Sequence, residues 1–339
     1  MTRSLRRGLA AGLLAAAVGL SATAAQAADK ITVGALRLAS HAPTFIAVER
    51  GYFKDEGLDV NLAFFEAAQP VAVAIASGDV DFGITAITGG LINLAQKGAV
   101  KVVGGALEEQ PGIKGEEILV SKKAYDAGVT SPDKLAGHSF GITQPGSSFH
   151  YMISKIAEKS GFDLKSMRLV PLQKVGALIA ALKSGQIDAW TIVPNIAEML
   201  TKGGEVKSIG QVADYIPNYQ VTTVFTSSGN AADKKDIVKR FLKAFSHGVA
   251  DYNAALVDKT ASAAETKAVT QIIAKYAYPN RDYATAAAAI QGGAMRLSPD
   301  AALNLSSVKD QLDWFKSEKL VPASASLDTL VDKSFVETK

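Results

Sequence analysis

The 339-residue chain has no cysteine, a low aromatic content of 7%, and no apolar stretch long enough to span a membrane. Each absence excludes something. Without cysteine there is no disulfide, no thiolate metal site, no cysteine nucleophile and no attachment point for a lipoprotein's lipid. The four histidines, at 41, 138, 150 and 247, show no paired ligand spacing. Neither a Walker-type loop nor a dinucleotide-binding glycine motif occurs, so no metal and no other cofactor is expected. One G-x-S-x-G match exists, Gly137-His138-Ser139-Phe140-Gly141. A nucleophile elbow needs a strand before the serine and a helix after it, whereas here a turn ends at Gly137 and a β-rich run follows. No catalytic residue is therefore assigned, and the chain reads as a non-enzyme.

What is present begins at the N-terminus. Arg3, Arg6 and Arg7 precede an uncharged run from Gly8 to Leu20, and small residues lead to Ala25-Gln26-Ala27. This is the pattern of a secretory signal over residues 1–27 with an A-x-A cleavage site, giving a soluble exported chain that starts at Ala28. Arg6-Arg7 hints at a twin-arginine route, although its flanking residues match poorly. With the three arginines of the signal removed, 33 basic residues balance 33 acidic ones, which leaves no footprint for nucleic acid or an anionic membrane. The remaining length exceeds a usual single core, so two domains or lobes are expected.

From Lys30 onward short β-rich runs alternate with helical patterns, the signature of βα units and largely parallel sheets. Strands are expected at Ile31–Leu36, Leu58–Ala63, Val80–Ile84 and Val100–Ala106, with helices at Pro43–Arg50, Ala68–Ala76 and Ile87–Lys97 between them. Past Glu117–Val120 the rhythm restarts, with strands at Ser139–Ile142, Arg168–Pro171 and Ile187–Ile192 and helices at Ser148–Lys159 and Val175–Lys183. From Ala231 the chain turns mainly helical, and Ser298-Pro299 reads as an N-cap and N1 pair opening a last long helix toward Lys319. An internal echo ties the halves together: Ala74-Ile75-Ala76-Ser77-Gly78-Asp79-Val80-Asp81 recurs 107 positions later as Ala181-Leu182-Lys183-Ser184-Gly185-Gln186-Ile187-Asp188. Both copies read as helix, glycine stop, strand, which implies two similar α/β lobes.

These residues resemble the substrate-binding proteins of the nitrate/sulfonate/taurine class of ABC importers, an NMT1/THI5-like group that also includes thiamine-pyrimidine binders. The run Glu49-Arg50-Gly51-Tyr52-Phe53-Lys54-Asp55-Glu56-Gly57-Leu58-Asp59-Val60, both echo segments, Leu135-Ala136-Gly137 and Gly146-Ser147-Ser148-Phe149-His150-Tyr151 carry the resemblance, from about Lys30 to Phe245. It implies an α/β protein with the two-lobed periplasmic binding protein type II fold: two mixed sheets with flanking helices and a two-strand hinge. Residues 28–120 and 226–339 would form lobe one and residues 121–225 lobe two, with crossovers near Glu117–Ser121 and Gln220–Thr226 and C-terminal helices packed back on lobe one. The implied role is a monomeric periplasmic subunit that captures a small anionic solute of sulfonate, nitrate or carboxylate type. It would deliver that solute to an inner-membrane permease with its cytoplasmic ATPase. The alternatives are a binder of a thiamine-pyrimidine precursor or other small aromatic, an enzyme of the same fold, which the lack of cysteine disfavours, and a structural envelope protein.

In open α/β sheets ligands bind beyond the carboxyl ends of strands, where loops and helix starts converge. That rule selects Arg37, Ser40 and His41 after the first strand, with Arg37 as an anion partner and His41 either a contact or a packed histidine. It selects Gln144, Gly146, Ser147 and Ser148 as an anion cradle of backbone N–H groups and hydroxyls at a helix start, where a serine N-cap is the plainer reading. It also selects Thr85 and Thr88 after one echoed strand and Thr191 at the other, where Trp190 is a stacking surface or a core residue. Family members often carry an aromatic–acidic–Pro triplet after the second echoed strand. Val193-Pro194-Asn195 stands there in this chain, so the ammonium of an amino-sulfonate lacks its usual carboxylate.

Overall fold

The computed structural model describes residues 27–339, so the expected signal, Ala27 apart, lies outside the described residues. Strands are numbered along the chain. The first five-stranded sheet runs β2 (Leu58–Phe65), β1 (Asp29–Leu36), β3 (Phe82–Thr85), β11 (Thr223–Ser227) and β4 (Val100–Gly105). The second runs β8 (Arg168–Pro171), β7 (Ser139–Ile142), β9 (Ala189–Ile192), β6 (Glu117–Ser121) and β10 (Val206–Gln211). A small third sheet pairs β5 (Leu107–Glu108) with β12 (Arg296–Leu297). In the first sheet β1 is parallel to β2 and β3, and β11 is antiparallel to β3 and β4. In the second, β7 is parallel to β8 and β9, and β6 is antiparallel to β9 and β10. The two sheets therefore share one strand order, with a reversed strand in fourth place in each.

Helices cover both sheets, which is why their central strands are almost continuously apolar instead of alternating. All of Phe82–Thr85 and all of Ala189–Ile192 are buried. The helix Lys235–Tyr252 buries Val238, Phe241, Leu242, Phe245, Val249 and Tyr252, a three-to-four spacing that forms one apolar stripe. Phe241 of that stripe stacks on Phe82 with ring centroids 4.0 Å apart and on Phe53 at 5.2 Å, joining the helix to the first sheet.

The echoed strands start two residues later than expected, because their aspartates act as clamps. Asp81 accepts the Thr32 N–H at 2.8 Å, pinning β1 to the approach of β3. Asp188 accepts both the Ser139 N–H at 2.8 Å and the Ser139 hydroxyl at 2.7 Å, pinning β7 to the approach of β9. The same two residues hold the reversed strands by their carbonyls, Asp81 through the Thr226 hydroxyl (2.6 Å) and Asp188 through the Ser121 N–H (2.8 Å). Ser139, the serine of the G-x-S-x-G match, is thus spent on this clamp inside a strand.

Three expectations change. The paired connections between the sheets lie at Leu107–Glu109 and Tyr219–Thr222, where Glu109 N–H donates to Tyr219 O at 2.8 Å and Val221 N–H to Leu107 O at 2.9 Å. Glu117–Ser121 instead lies inside the second sheet. Ser298-Pro299 opens only a single turn, Pro299–Ala301, because Asp300 and Ala301 take left-handed φ of 51° and 54° and break the helix. The last long helix is Leu305–Ser317, capped by Asn304, whose side chain accepts the Ser307 N–H at 3.0 Å. Finally, the C-terminal helices reach both sheets: Tyr283–Gly292 packs on Pro194–Lys202, and Trp314 of the last long helix donates to Ser154 at 2.8 Å.

Candidate functional site

Between the two sheets lies a cleft with about 630 Å³ of empty space, its mouth included. The carboxyl ends of the parallel strands feed it from both sides. From the first half come Leu36, Leu38, Ser40 and His41 after β1, Ala67 and Ala68 after β2, and Thr85, Ala86 and Thr88 after β3. From the second come Thr143, Ser147, Ser148 and Phe149 after β7, Val175 after β8, and Ile192 and Val193 at the end of β9. Leu107, Val221 and Thr222 of the paired connections and Glu116, which leads from the first connection into β6, complete the lining. The halves touch across the mouth, where Gly89 N–H donates to Gly146 O at 2.9 Å and Val175 N–H to Glu66 O at 3.3 Å.

The wall is largely apolar, and most of its polar groups are neutral. The helices Ala68–Ser77, Gly89–Gln96, Ser148–Ser160 and Val175–Lys183 all start at its wall and turn the positive end of the dipole toward it, although Gly89 N–H and Val175 N–H are already spent across the mouth. His41 is buried, and burial pushes its pKa down to about 3, so the imidazole is neutral. Its Nδ1 faces the Leu36 N–H at 3.4 Å as an acceptor, which leaves the proton on Nε2 as a donor. Ser147 Oγ is buried without a hydrogen-bond partner among the described residues. Thr88 is already engaged: its hydroxyl caps the next helix by accepting Leu91 N–H at 3.0 Å and donates to Gln69 Oε1 at 2.6 Å. Among the described residues, no lysine or arginine lines the cleft.

Of the residues singled out from sequence, Ser40, His41, Thr85, Thr88, Ser147 and Ser148 line this one cleft. Arg37 does not join them. Its exposed guanidinium lies over the Phe64 ring, 3.8 Å from the centroid, and donates to Tyr276 O at 3.0 Å. It borders instead a neighbouring cavity of about 1280 Å³ that shares Leu36, Leu38 and Val175 with the cleft and also holds Lys183 and Arg281. Gln144 is spent on the turn before the helix, its carbonyl accepting Ser147 N–H at 3.1 Å, and Gly146 forms the bridge at the mouth. Trp190 and Thr191 sit in the body of β9, fully buried: Trp190 packs on Phe149 with centroids 5.4 Å apart, and the Thr191 hydroxyl faces Met152. Only the last residue of that strand reaches the cleft.

Thr222, Glu116 and much of the apolar wall were not anticipated, whereas Thr143 opens the strand-end segment that holds Gln144 to Ser148. For part of the wall a signal existed. Extending the 107-residue echo pairs Leu36 with Thr143, Ser40 with Ser147, His41 with Ser148, Ala68 with Val175, Thr85 with Ile192 and Ala86 with Val193, and every member of these pairs lines the cleft. The connection residues have no such partners.

Two halves of one strand order, closed on a cleft at their strand ends, form the periplasmic binding protein fold. The sequence matches the model of the family described as NMT1/THI5 like over residues 39–255. The chain belongs to the NMT1/THI5-like family. That match runs from the turn before the helix Ala42–Glu49 to just past the helix Lys235–Tyr252, and so includes both main sheets apart from β1. Among solved structures, the chain is similar to the periplasmic aliphatic sulphonate binding protein SsuA from Escherichia coli, with 18% identity, a TM-score of 0.70, and 91% of this chain and 98% of that one covered. It is similar to the periplasmic nitrate-binding protein NrtA from Synechocystis PCC 6803, with 13% identity, a TM-score of 0.72 and coverage of 91% and 87%. It is also similar to the alkanesulfonate-binding protein SsuA from Xanthomonas axonopodis pv. citri bound to MOPS, with 17% identity, a TM-score of 0.69 and coverage of 91% and 98%. No curated protein sequence matches the chain.

Proposed function

We propose that this protein is the extracytoplasmic solute-binding subunit of an ABC importer. It captures a small organic solute in the cleft between two lobes and hands it to a membrane permease. The observation that carries the reading is the cleft itself: converging helix starts, hydroxyls and a neutral imidazole donor at the strand ends of two like-built halves. The two lobes are built on the two main sheets, β11 belonging to the first and β6 to the second, and they hinge about the paired segments Leu107–Glu109 and Tyr219–Thr222. Export by the N-terminal signal to the periplasm and a monomeric state belong to the same proposal.

The sulfonate- and nitrate-binding relatives favour an oxyanionic group on the solute. Here it would be held by N–H groups at helix starts and by Ser40, Ser147 and Ser148, not by a side-chain cation. Arg37, Lys183 and Arg281 beside the cleft would draw the anion in without holding it. The largely apolar wall and the absence of a lining cation favour a second reading, a small aromatic such as a pyrimidine.

The test is a thermal-shift panel of nitrate, alkanesulfonates, aromatic carboxylates and pyrimidines, because a ligand of the native state raises the apparent stability. A true solute should raise the melting temperature by several degrees and compact the protein in small-angle scattering as the lobes close. A panel with no stabilising member would count against solute binding, and an unchanged radius of gyration under saturating solute against the hinge.

A further inference from the structure

The lining of the cleft contains two ionisable side chains, His41 and Glu116. His41 is held neutral, which leaves Glu116 as the group with chemistry to spare. It is 3% exposed, and its Oε2 has no hydrogen-bond partner among the described residues. Beside it stands Glu109, fully buried, which accepts the Glu116 N–H through Oε1 at 2.8 Å and whose Oε2 is likewise unpartnered. Tyr219 on the returning connection is fully buried with an unpartnered hydroxyl, and Asp214 lies close enough to act on Glu109. The nearby cation, Lys114, is paired with Glu117 at 3.1 Å and with Glu198 at 4.0 Å. Burial raises both carboxyls, Glu109 to about 7 and Glu116 well above the usual glutamate range, and each glutamate's proximity to the other adds to the Glu116 effect.

Buried acceptors without donors are costly, and a charged carboxylate more so. Structures retain such groups where something else completes them. Whatever fills the cleft meets Glu116 at the connections, and meets helix starts and hydroxyls at the strand ends. Resting on the solute-binding reading above, we infer that Glu116 anchors a nitrogen group of the solute, an ammonium or a ring amino group whose N–H donates to the orphaned carboxyl oxygen. The solute is then two-ended, with an N–H donor toward the connections and an acceptor, sulfonate or ring nitrogen, toward the helix starts. Its apolar body lies between Leu36, Phe149, Val175 and Val221. The acidic residue missing after β9 is thereby replaced from another element. Asn195 in that position is not free, since its amide bonds the Tyr278 hydroxyl.

Matched probes differing in one nitrogen test this on the wild-type protein: taurine against ethanesulfonate, and 4-amino-5-hydroxymethyl-2-methylpyrimidine against its desamino analogue, each titrated calorimetrically. The amino member of one pair should bind at least tenfold tighter than its partner, and the responding pair identifies the source of the nitrogen. Glu116→Gln should erase most of that preference while keeping the unliganded fold by circular dichroism. Equal binding of the amino and desamino members, or an unchanged preference in Glu116→Gln, overturns the anchor and leaves solute binding standing. The same holds if only nitrogen-free members of the wider panel bind. If nothing in either set binds, both readings fall.

Discussion

The half built on β1, β2 and β3 and the half built on β7, β8 and β9 repeat one another at an offset of 107 residues, clamp for clamp. Thr32 and Asp81 in one answer to Ser139 and Asp188 in the other. Gly34 answers to Gly141, and both are glycine because side chains crowd them: an added Cβ would fall 2.7 Å from Val71 Cγ1 in the first half and 2.5 Å from Leu178 Cδ2 and Ile187 Cδ1 in the second. At the cleft the correspondence of position holds while the chemistry is exchanged. Leu36 faces Thr143 in the repeat, His41 faces Ser148, and Thr85 faces Ile192, so at these pairs the chemistry differs between the halves, while Ser40 and Ser147 keep the same hydroxyl. The duplication therefore supplies the helix starts, and the departures from it, together with the unduplicated connections, supply the discrimination.

The sharpest break in the comparison is His41, whose counterpart is a serine. Its folded pKa of about 3 lies below the unfolded value of 6.5, so the unfolded chain takes up a proton as pH falls from 6.5 toward 3 and the native state does not. The stability held by neutral His41 is present above pH 6.5 and lost through that window, by roughly 3–5 kcal/mol at 1.36 kcal/mol per unit. Urea unfolding midpoints for wild type and His41→Ser between pH 7 and 4 should converge toward acid. Parallel curves would show that the histidine is not held neutral.

Next come the clamps. Asp188→Ala should cost about 2–4 kcal/mol, because it strips two charge-assisted bonds from Ser139, and Asp81→Ala about 1–2 kcal/mol for the single bond to Thr32. Equal losses in denaturant titrations would mean that the Ser139 hydroxyl contributes nothing. Glu109→Gln should act in the opposite direction to the histidine. A carboxyl raised to about 7 gives stability that is full below its unfolded pKa of about 4.5 and fades as pH rises through 7. The variant should therefore lose less stability than wild type between pH 4.5 and 8, by on the order of 1–3 kcal/mol, and a steeper decline than wild type would contradict the burial argument. The smallest effects concern affinity. Ser147→Ala, which removes an unpartnered hydroxyl, should weaken solute binding about threefold to tenfold, one hydrogen bond's worth, because the backbone donors remain. Arg37→Ala, outside the cleft, should change the equilibrium affinity less than Ser147→Ala and show mainly in the association rate at low salt. A larger loss in Arg37→Ala would move the solute into the neighbouring cavity.

Much of the fold was legible because it depends on local pattern. Helices stopped at Gly51 and Gly78, strands ran apolar because both faces are covered, and the echo announced two like halves. The Ser298-Pro299 start failed because capping residues describe a helix that can begin and cannot foresee left-handed φ at Asp300 and Ala301 two residues later. At the site, the strand-end rule picked serines and threonines that line the cleft, but it takes no account of side-chain reach. Arg37 is long enough to leave the cleft for Phe64 and Tyr276, and Trp190 lies one pleat too early on β9.

By itself the sequence determined the repeat, and with it the strand order and the ring of helix starts, because periodicity, glycine stops and clamp aspartates act over a few residues or at a fixed spacing. Only the tertiary structure decided which charges face the solute. Keeping the described lysines and arginines out of the cleft, and bringing Glu116 beside Glu109 and Tyr219 under it, depends on how two distant segments pack against each other. Desolvation, which sets the character of those groups, is a property of the assembled interior and of no residue taken alone.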